Sequence, residues 1–178
     1  LKALGIEDYG IYNLIAGFIT LFVVVTNSLV NAVQRYFNFA LGEKNDERFS
    51  RVFVMSMNIL FLLAILIIII TETLGVWFIN THLNIPSDRL YAANWVFQLA
   101  ILTFITSILR TPYNAAIIAH EKMSFYAYVS IIDVFMKLSI VFLIISFDFD
   151  KLILYSILLL ITNLITTIIY KTYTNKKL

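Results

Sequence analysis

Five stretches of this chain each run for roughly twenty residues or more with almost no formal charge, the length a helix needs to cross the hydrocarbon of a bilayer. They are Tyr9 to Gln34, Val52 to Thr71, Leu90 to Leu109, Met123 to Phe147 and Leu152 to Tyr170. Only the fourth carries ionised residues well inside it, Asp133 and Lys137. Hydrophobic residues make up 61% of the chain and charged residues 13%, against about 25% charged in a soluble domain. The runs lack two-residue alternation and are about twice the length of a barrel strand, which excludes a β-barrel. The expected fold is all-α: a polytopic transmembrane bundle of about five spanning helices, forming a single unit over residues 1–178. Its spans are placed at approximately 9–41, 50–79, 88–118, 123–147 and 151–171.

The charges that remain cluster between the apolar runs, as expected of loops and interfacial helix ends. Lys44, Arg48 and Arg51 lie between spans one and two, Lys122 between three and four, and Lys171, Lys176 and Lys177 after span five. The opposite side holds only Lys2, Arg89 and Lys151. Positive short loops stay cytoplasmic, so the amino end is expected outside and the carboxyl end inside. Tyr9, Tyr12, Trp77, Phe78, Tyr91 and Trp95 would then mark the outer interface, and Tyr36, Tyr113, Tyr126 and Tyr170 the inner one. A net charge of +2 is too small and scattered for nucleic acid. With no cysteine, the chain has neither a disulfide framework nor a thiolate metal site. The first span is too long for a signal-peptide core. The chain begins at Leu1 rather than Met, so a fragment with an upstream span is expected. Gly42 is expected as a left-handed cap, Asn45 or Asp46 as the cap of the next helix, and Pro86 or Ser87 as the start of the third span.

Polar residues on the spans are not scattered at random. At about 100° per residue, Asn13, Gly17, Thr20, Asn27, Asn31, Gln34, Arg35 and Asn38 fall within roughly a third of the first helix's circumference. Thr103, Ser107, Arg110 and Asn114 share a face of the third span, and Tyr126, Ser130, Asp133 and Lys137 share one of the fourth. Such stripes serve either helix packing through side-chain hydrogen bonds or a polar cavity. Arg35 and Arg110 lie near inner helix ends, where snorkelling to headgroups and a place in the polar stripe are equally open readings. Asp133 and Lys137 stand one turn apart and can pair. An ionised side chain near a helix centre costs on the order of 2.5–3.5 kcal/mol, so both are expected to face inward. Pro112 removes a backbone donor and marks a candidate hinge in the third span. His82 and His120 sit at helix ends, and no metal-ligand spacing, phosphate loop or nucleophile motif appears. Neither an enzyme nor a cofactor is expected.

Several segments carry a family resemblance in their order and spacing: Tyr9 to Tyr12, Ala32 to Phe39 followed by Leu41, Gly42 and a charged loop, Trp77 to Pro86, Ala92 to Trp95, and Pro112 to Met123. Together they resemble the polysaccharide and O-antigen flippases of the multidrug, oligosaccharidyl-lipid and polysaccharide exporter superfamily. The resemblance implies helices two to six of the amino-terminal lobe of a MATE-like flippase, without the first helix or the second lobe. It implies a multi-pass protein of the bacterial inner membrane that moves lipid-pyrophosphate-linked oligosaccharide by alternating access. Its partners would be that lipid-linked oligosaccharide, membrane lipids and the remaining lobe of its own chain. Arg35, Arg110 and Lys137 would then line the cavity and offset pyrophosphate charge, while Asn27, Asn31, Gln34 and Asn38 would meet sugar hydroxyls. Asp133 would take a coupling proton or sodium ion, or hold Lys137 in place.

Other readings use the same residues differently. An exporter of small organic cations in the same superfamily wants an acidic, aromatic cavity, whereas the candidate cavity charges here are mainly basic. A membrane enzyme needs a catalytic constellation that the sequence lacks. A non-transporting scaffold would use the polar stripes for packing alone.

Overall fold

The computed structural model describes residues 5–43, 45–83, 85–146 and 149–177. Lys2, Lys44, Phe147 and Asp148, counted above among loop charges and span ends, lie outside the described residues, as does the side chain of Lys177. Among the described residues there is no strand, and five helices are long and apolar enough to cross a membrane. They are α1 (Ile6–Gly42), α2 (Asp46–Thr81), α3 (Leu90–Ala119), α4 (Met123–Ser146) and α5 (Lys151–Lys177). Short connections make successive helices antiparallel. The end where α1, α3 and α5 begin is called the outer end, following the loop charge bias.

Helix boundaries follow local hydrogen-bond chemistry. The Asn45 side chain accepts from the Arg48 N–H at 2.9 Å and caps α2. Gly42, expected as a left-handed cap, is instead the last residue of α1, and the chain leaves through Glu43 at φ −80°. The Glu43 N–H still reaches the Phe39 carbonyl, so the right-handed turn closes itself and needs no left-handed residue. That conformation appears at the end of α3, where Glu121 has φ 59°. There the Lys122 N–H reaches the Ile117 carbonyl at 3.0 Å and the Glu121 N–H the Ile118 carbonyl at 2.9 Å, a Schellman closure. Pro86 and Ser87 do not start α3: a turn closed by the Arg89 N–H on the Pro86 carbonyl precedes it, and the helix begins at Leu90.

The buried side of α2 runs through Ser56, Leu60, Ala64, Ile67, Thr71, Gly75 and Ile79. Each step of four residues overshoots a 3.6-residue turn by about 40°, so an unbroken α-helix would rotate the last of these away from the core. A π-helical turn at Thr71–Gly75 absorbs the overshoot. It also sets Gly75 against α3, where an added Cβ would lie 2.5 Å from Phe97 Cζ and 3.2 Å from Phe18 Cε1. Only glycine admits that approach.

The core changes character along the bundle. At the outer end Ile11 and Ile15 of α1, Ile79 of α2, Ala92, Ala93, Val96, Phe97 and Ile101 of α3, and Leu152 of α5 form one packed cluster. Three charged groups tie the same end together. Arg89 Nη1 lies 2.7 Å from Asp150 Oδ2, and its Nε lies 3.4 Å from Asp8 Oδ1. Asp150 Oδ1 also accepts from the Leu152 N–H at 3.1 Å and caps α5. The Asp8–Arg89 contact is within ion-pair range but lacks hydrogen-bond geometry. At the inner end Val33 and Phe37 of α1 pack on Ala115 and Ala116 of α3, and Ile117, Val129 and Tyr170 join α3, α4 and α5. Helix α3 occupies the middle, in contact with all four others.

The outside of the bundle is apolar. Phe61, Leu62, Leu66, Ile69, Phe135 and Phe142 are among many large hydrophobic side chains left exposed. In water such surface would drive association. In a bilayer it meets acyl chains, which is how a chain with these five helices is solvated.

Candidate functional site

Two clefts open against α3. The inner one is about 260 Å³ and lies between α3, α4 and α5, lined by Arg110 and Asn114, by Tyr126, Val129, Ser130, Asp133 and Val134, and by Thr166 and Tyr170. The outer one is about 250 Å³ and lies between α1, α3 and α5, with Tyr12, Thr103, Ser107, Ser156 and Asn163 supplying its polar groups. Both follow from helical periodicity. Thr103, Ser107, Arg110 and Asn114 share a face of α3, while Ser156, Asn163, Thr166 and Tyr170, spaced seven, three and four apart, share a face of α5. The packing of α3 on α5 brings these two faces together, and the clefts lie end to end along the junction.

Charge is concentrated in the inner cleft. Lys137 Nζ lies 2.7 Å from Asp133 Oδ2, the one-turn pairing that the spacing predicts. The Thr166 hydroxyl lies 3.3 Å from Asp133 Oδ1 and donates to it, while also reaching the Thr162 carbonyl at 2.9 Å. The Asp133 side chain is 24% exposed and that of Lys137 55%, so the carboxylate sits in the cleft and the ammonium at its margin. Across the cleft the Arg110 guanidinium lies 5.8 Å from the centre of the Tyr170 ring, within cation–π range. The buried Tyr170 ring is thus a support for Arg110 and packs edge-on against Phe125, rather than standing at a headgroup interface as its position near the inner end suggests.

Besides Asp8 Oδ1 at the outer end, two buried acceptors among the described residues have no hydrogen-bond partner in the protein: Asn114 Oδ1 in the inner cleft and Asn163 Oδ1 in the outer one. A buried amide oxygen without a donor costs about 1–3 kcal/mol. Water or a hydroxyl-bearing ligand in the cleft would supply the donor. The inner cleft therefore combines the Arg110 cation, a carboxylate already paired with Lys137 outside the lining, hydroxyls and an unsatisfied amide oxygen. Its chemistry suits an anionic, hydroxyl-rich group better than an apolar one.

The remaining candidates lie elsewhere. The buried residues of α1, which include Asp8, Ile11, Ile15, Thr26, Val33, Phe37 and Ala40, define one face of the helix. The stripe of Asn27, Asn31, Gln34, Arg35 and Asn38 is centred roughly 150° around from that face. Asn27, Asn31, Arg35 and Asn38 are exposed and Gln34 is half-buried. The lining of the inner cleft brings together Arg110 and Asp133 but no α1 residue, and Lys137, expected to face inward, is exposed outside the lining and tied to it only through Asp133, because its long stem carries the ammonium outward. Pro112 is buried, and α3 passes through it without interruption. The neighbouring Thr111 hydroxyl donates to the Ser107 carbonyl at 3.4 Å.

Several participants escape the sequence pattern. Asn163 and Thr166 of α5 join the clefts, and only their spacing with Ser156 and Tyr170 would have marked them. Glu72 lies within the π turn, beyond the end of the apolar run at Thr71, and Gln98 Nε2 donates to its Oε2 at 3.1 Å. Asn80 and Asn94 exchange amide hydrogen bonds at 3.1 and 3.0 Å across the same α2–α3 junction. Compared with known protein families, curated proteins and solved structures, the chain matches none.

Proposed function

We propose that this chain is part of a flippase that moves lipid-pyrophosphate-linked oligosaccharide across the bacterial inner membrane by alternating access, for lipopolysaccharide or polysaccharide synthesis. The observation that carries this reading is the inner cleft, where Lys137 outside the lining neutralises Asp133 and leaves the Arg110 charge beside an amide oxygen that lacks a donor. A cationic, hydrated recess within bilayer-spanning helices is expensive to maintain without an anionic or polyhydroxyl cargo. The cleft is small beside a glycan, so it would receive the phosphate-bearing end of the lipid. Arg110 presents a planar fork of donors to phosphate oxygens, and Lys137 adds a mobile point charge.

The α1 stripe completes the proposal. An amide row on an exposed helix face, ending in Arg35, provides donors and acceptors for sugar hydroxyls along a path rather than at a point. In the proposed assembly that face turns toward a second lobe of MATE-like architecture. Asp133 then holds Lys137 until the cargo phosphate competes for the ammonium, and it is the group a coupling proton or sodium ion would neutralise.

The direct test is transport by the complete flippase, of which this chain is proposed to be part, reconstituted in vesicles with a fluorescent lipid-linked oligosaccharide. Arg110→Gln and Lys137→Gln should each abolish most translocation while leaving helix content and monodispersity in detergent unchanged. Undiminished translocation by both variants would favour a purely structural role for the pair.

A further inference from the structure

We propose that Glu72, Gln98, Tyr91 and Trp95 form a site for the ammonium headgroup of a phospholipid at the outer end of the α2–α3 junction. This site is separate from the clefts above and does not depend on the flippase reading. Glu72 is exposed, and its hydrogen-bond partner is a neutral amide, Gln98. Among the described residues no Lys, Arg or His forms an ion pair with it, and Arg89 at this end is held by Asp8 and Asp150. A carboxylate within a membrane-spanning helix is costly unless a countercharge reaches it.

The surroundings specify what that countercharge is. Tyr91, Asn94, Trp95 and Gln98 line a shallow recess of about 170 Å³. The Tyr91 and Trp95 rings are 6.3 Å apart and inclined at 69°, with 70% and 49% of the two residues exposed. Glu72 is not in the lining but joins the rim of the recess through Gln98, and an aromatic pair near a carboxylate is the chemistry that binds alkylammonium groups through ring faces and charge together. The amides Asn94 and Gln98 are held in place by Asn80 and Glu72, so the recess is preorganised.

Position separates a lipid from a soluble cation. One turn toward the middle of the bilayer from Gln98 lies Leu102, and one turn from Glu72 lie Ile68 and Ile69, all three exposed. An acyl chain hanging from a headgroup at Glu72 would run along these side chains. Trp95 and Tyr91, one and two turns above, stand where interfacial aromatic residues settle. A polar head above an apolar track matches a phospholipid, while a soluble cation would leave the track unused. The widened π turn is what carries Glu72 to this junction.

The test compares lipids that differ only in headgroup. The purified protein is delipidated and given phosphatidylethanolamine or phosphatidylglycerol with identical acyl chains, and retained lipid is counted by native mass spectrometry. Wild-type protein should retain the ammonium lipid about tenfold better, and Glu72→Gln should abolish that preference while preserving the bond to Gln98. Trp95→Leu, a change at an exposed ring, should reduce the preference severalfold and serves if the Glu72 variant does not fold. The chain has two tryptophans, so in a Trp77→Phe background the emission of Trp95 should respond to headgroup exchange, and should stop responding with Glu72→Gln. Equal retention of the two lipids by wild type, or a preference that survives both Glu72→Gln and Trp95→Leu, would overturn the proposal. So would displacement of the lipid by millimolar choline, which would assign the site to a soluble ammonium ion.

Discussion

The outer and inner halves of this bundle use the same helices for opposite ends. Outside, α1, α2, α3 and α5 close on Phe97, Ile15 and Leu152, and Arg89 draws Asp8 and Asp150 together. Inside, α4 joins α3 and α5 around Arg110, Asp133 and Lys137, and a buried amide oxygen there lacks a donor. The outer half thus uses Arg89, Asp8 and Asp150 to fix helix positions, whereas the inner half gathers its ionised groups around an open cleft. The contrast teaches where a bundle built this way is stiff and where it is open to a ligand.

The largest expected effect falls on the stiff half. Phe97→Ala should lower stability by about 3–5 kcal/mol, because it empties a fully buried ring position beside Gly75. Chemical unfolding in detergent micelles measures this. Gly75→Ala should cost about 1–3 kcal/mol through overpacking against Phe97. In a Phe97→Leu background the same glycine change should cost less than half as much, since the clashing atom is gone. Additive losses would show that the two helices do not meet there.

In the inner half the expected effect on stability is smaller and the effect on cargo larger. Lys137→Gln leaves Asp133 with the Thr166 hydroxyl alone and should cost about 1 kcal/mol, discounted because the lysine is more than half exposed. Asp133→Asn added to it should recover most of that loss, and a double-mutant cycle reports the pairing. Arg110→Gln should reduce binding of a lipid pyrophosphate by ten- to a hundredfold, the value of one or two charge-assisted hydrogen bonds. The smallest stability change belongs to the α1 stripe. Asn31→Ala, at an exposed site, should shift stability by less than about 0.5 kcal/mol while slowing glycan export.

These predictions also mark how far sequence alone reached. The spanning helices were legible because a run of twenty apolar residues admits few structures in lipid, and because Asn45 offers a cap where a helix must start. The Asp133–Lys137 pair was legible from one-turn spacing. The α3 face from Thr103 to Asn114 was legible too, but its partner on α5 was not. Ser156, Asn163, Thr166 and Tyr170 form a face only once the helix phase is taken seriously across fourteen residues, and nothing local says that it meets α3. Gly75 and Glu72 were hidden for a different reason. A π turn changes which residues share a side of the helix, and ordinary periodicity cannot anticipate it. The α1 stripe was readable as a stripe, yet which neighbour it faces is a question of assembly, and in this structure that face has no helix against it.

The central claim is that a hydrated, net-cationic recess exists between α3, α4 and α5 while the packed cluster around Phe97 and Ala93 at the outer end is closed. The chain has no cysteine, so single cysteines introduced at Asn114, Ser130 and Ala93 report water access in the membrane-embedded protein without background. Charged thiosulfonate reagents, applied to both faces of the membrane, should modify Asn114→Cys and Ser130→Cys readily, and the anionic reagent should react faster than its cationic counterpart. Ala93→Cys, fully buried in the outer core, should stay unmodified. Equal protection at all three sites, or faster attack by the cationic reagent in the inner cleft, would contradict the account.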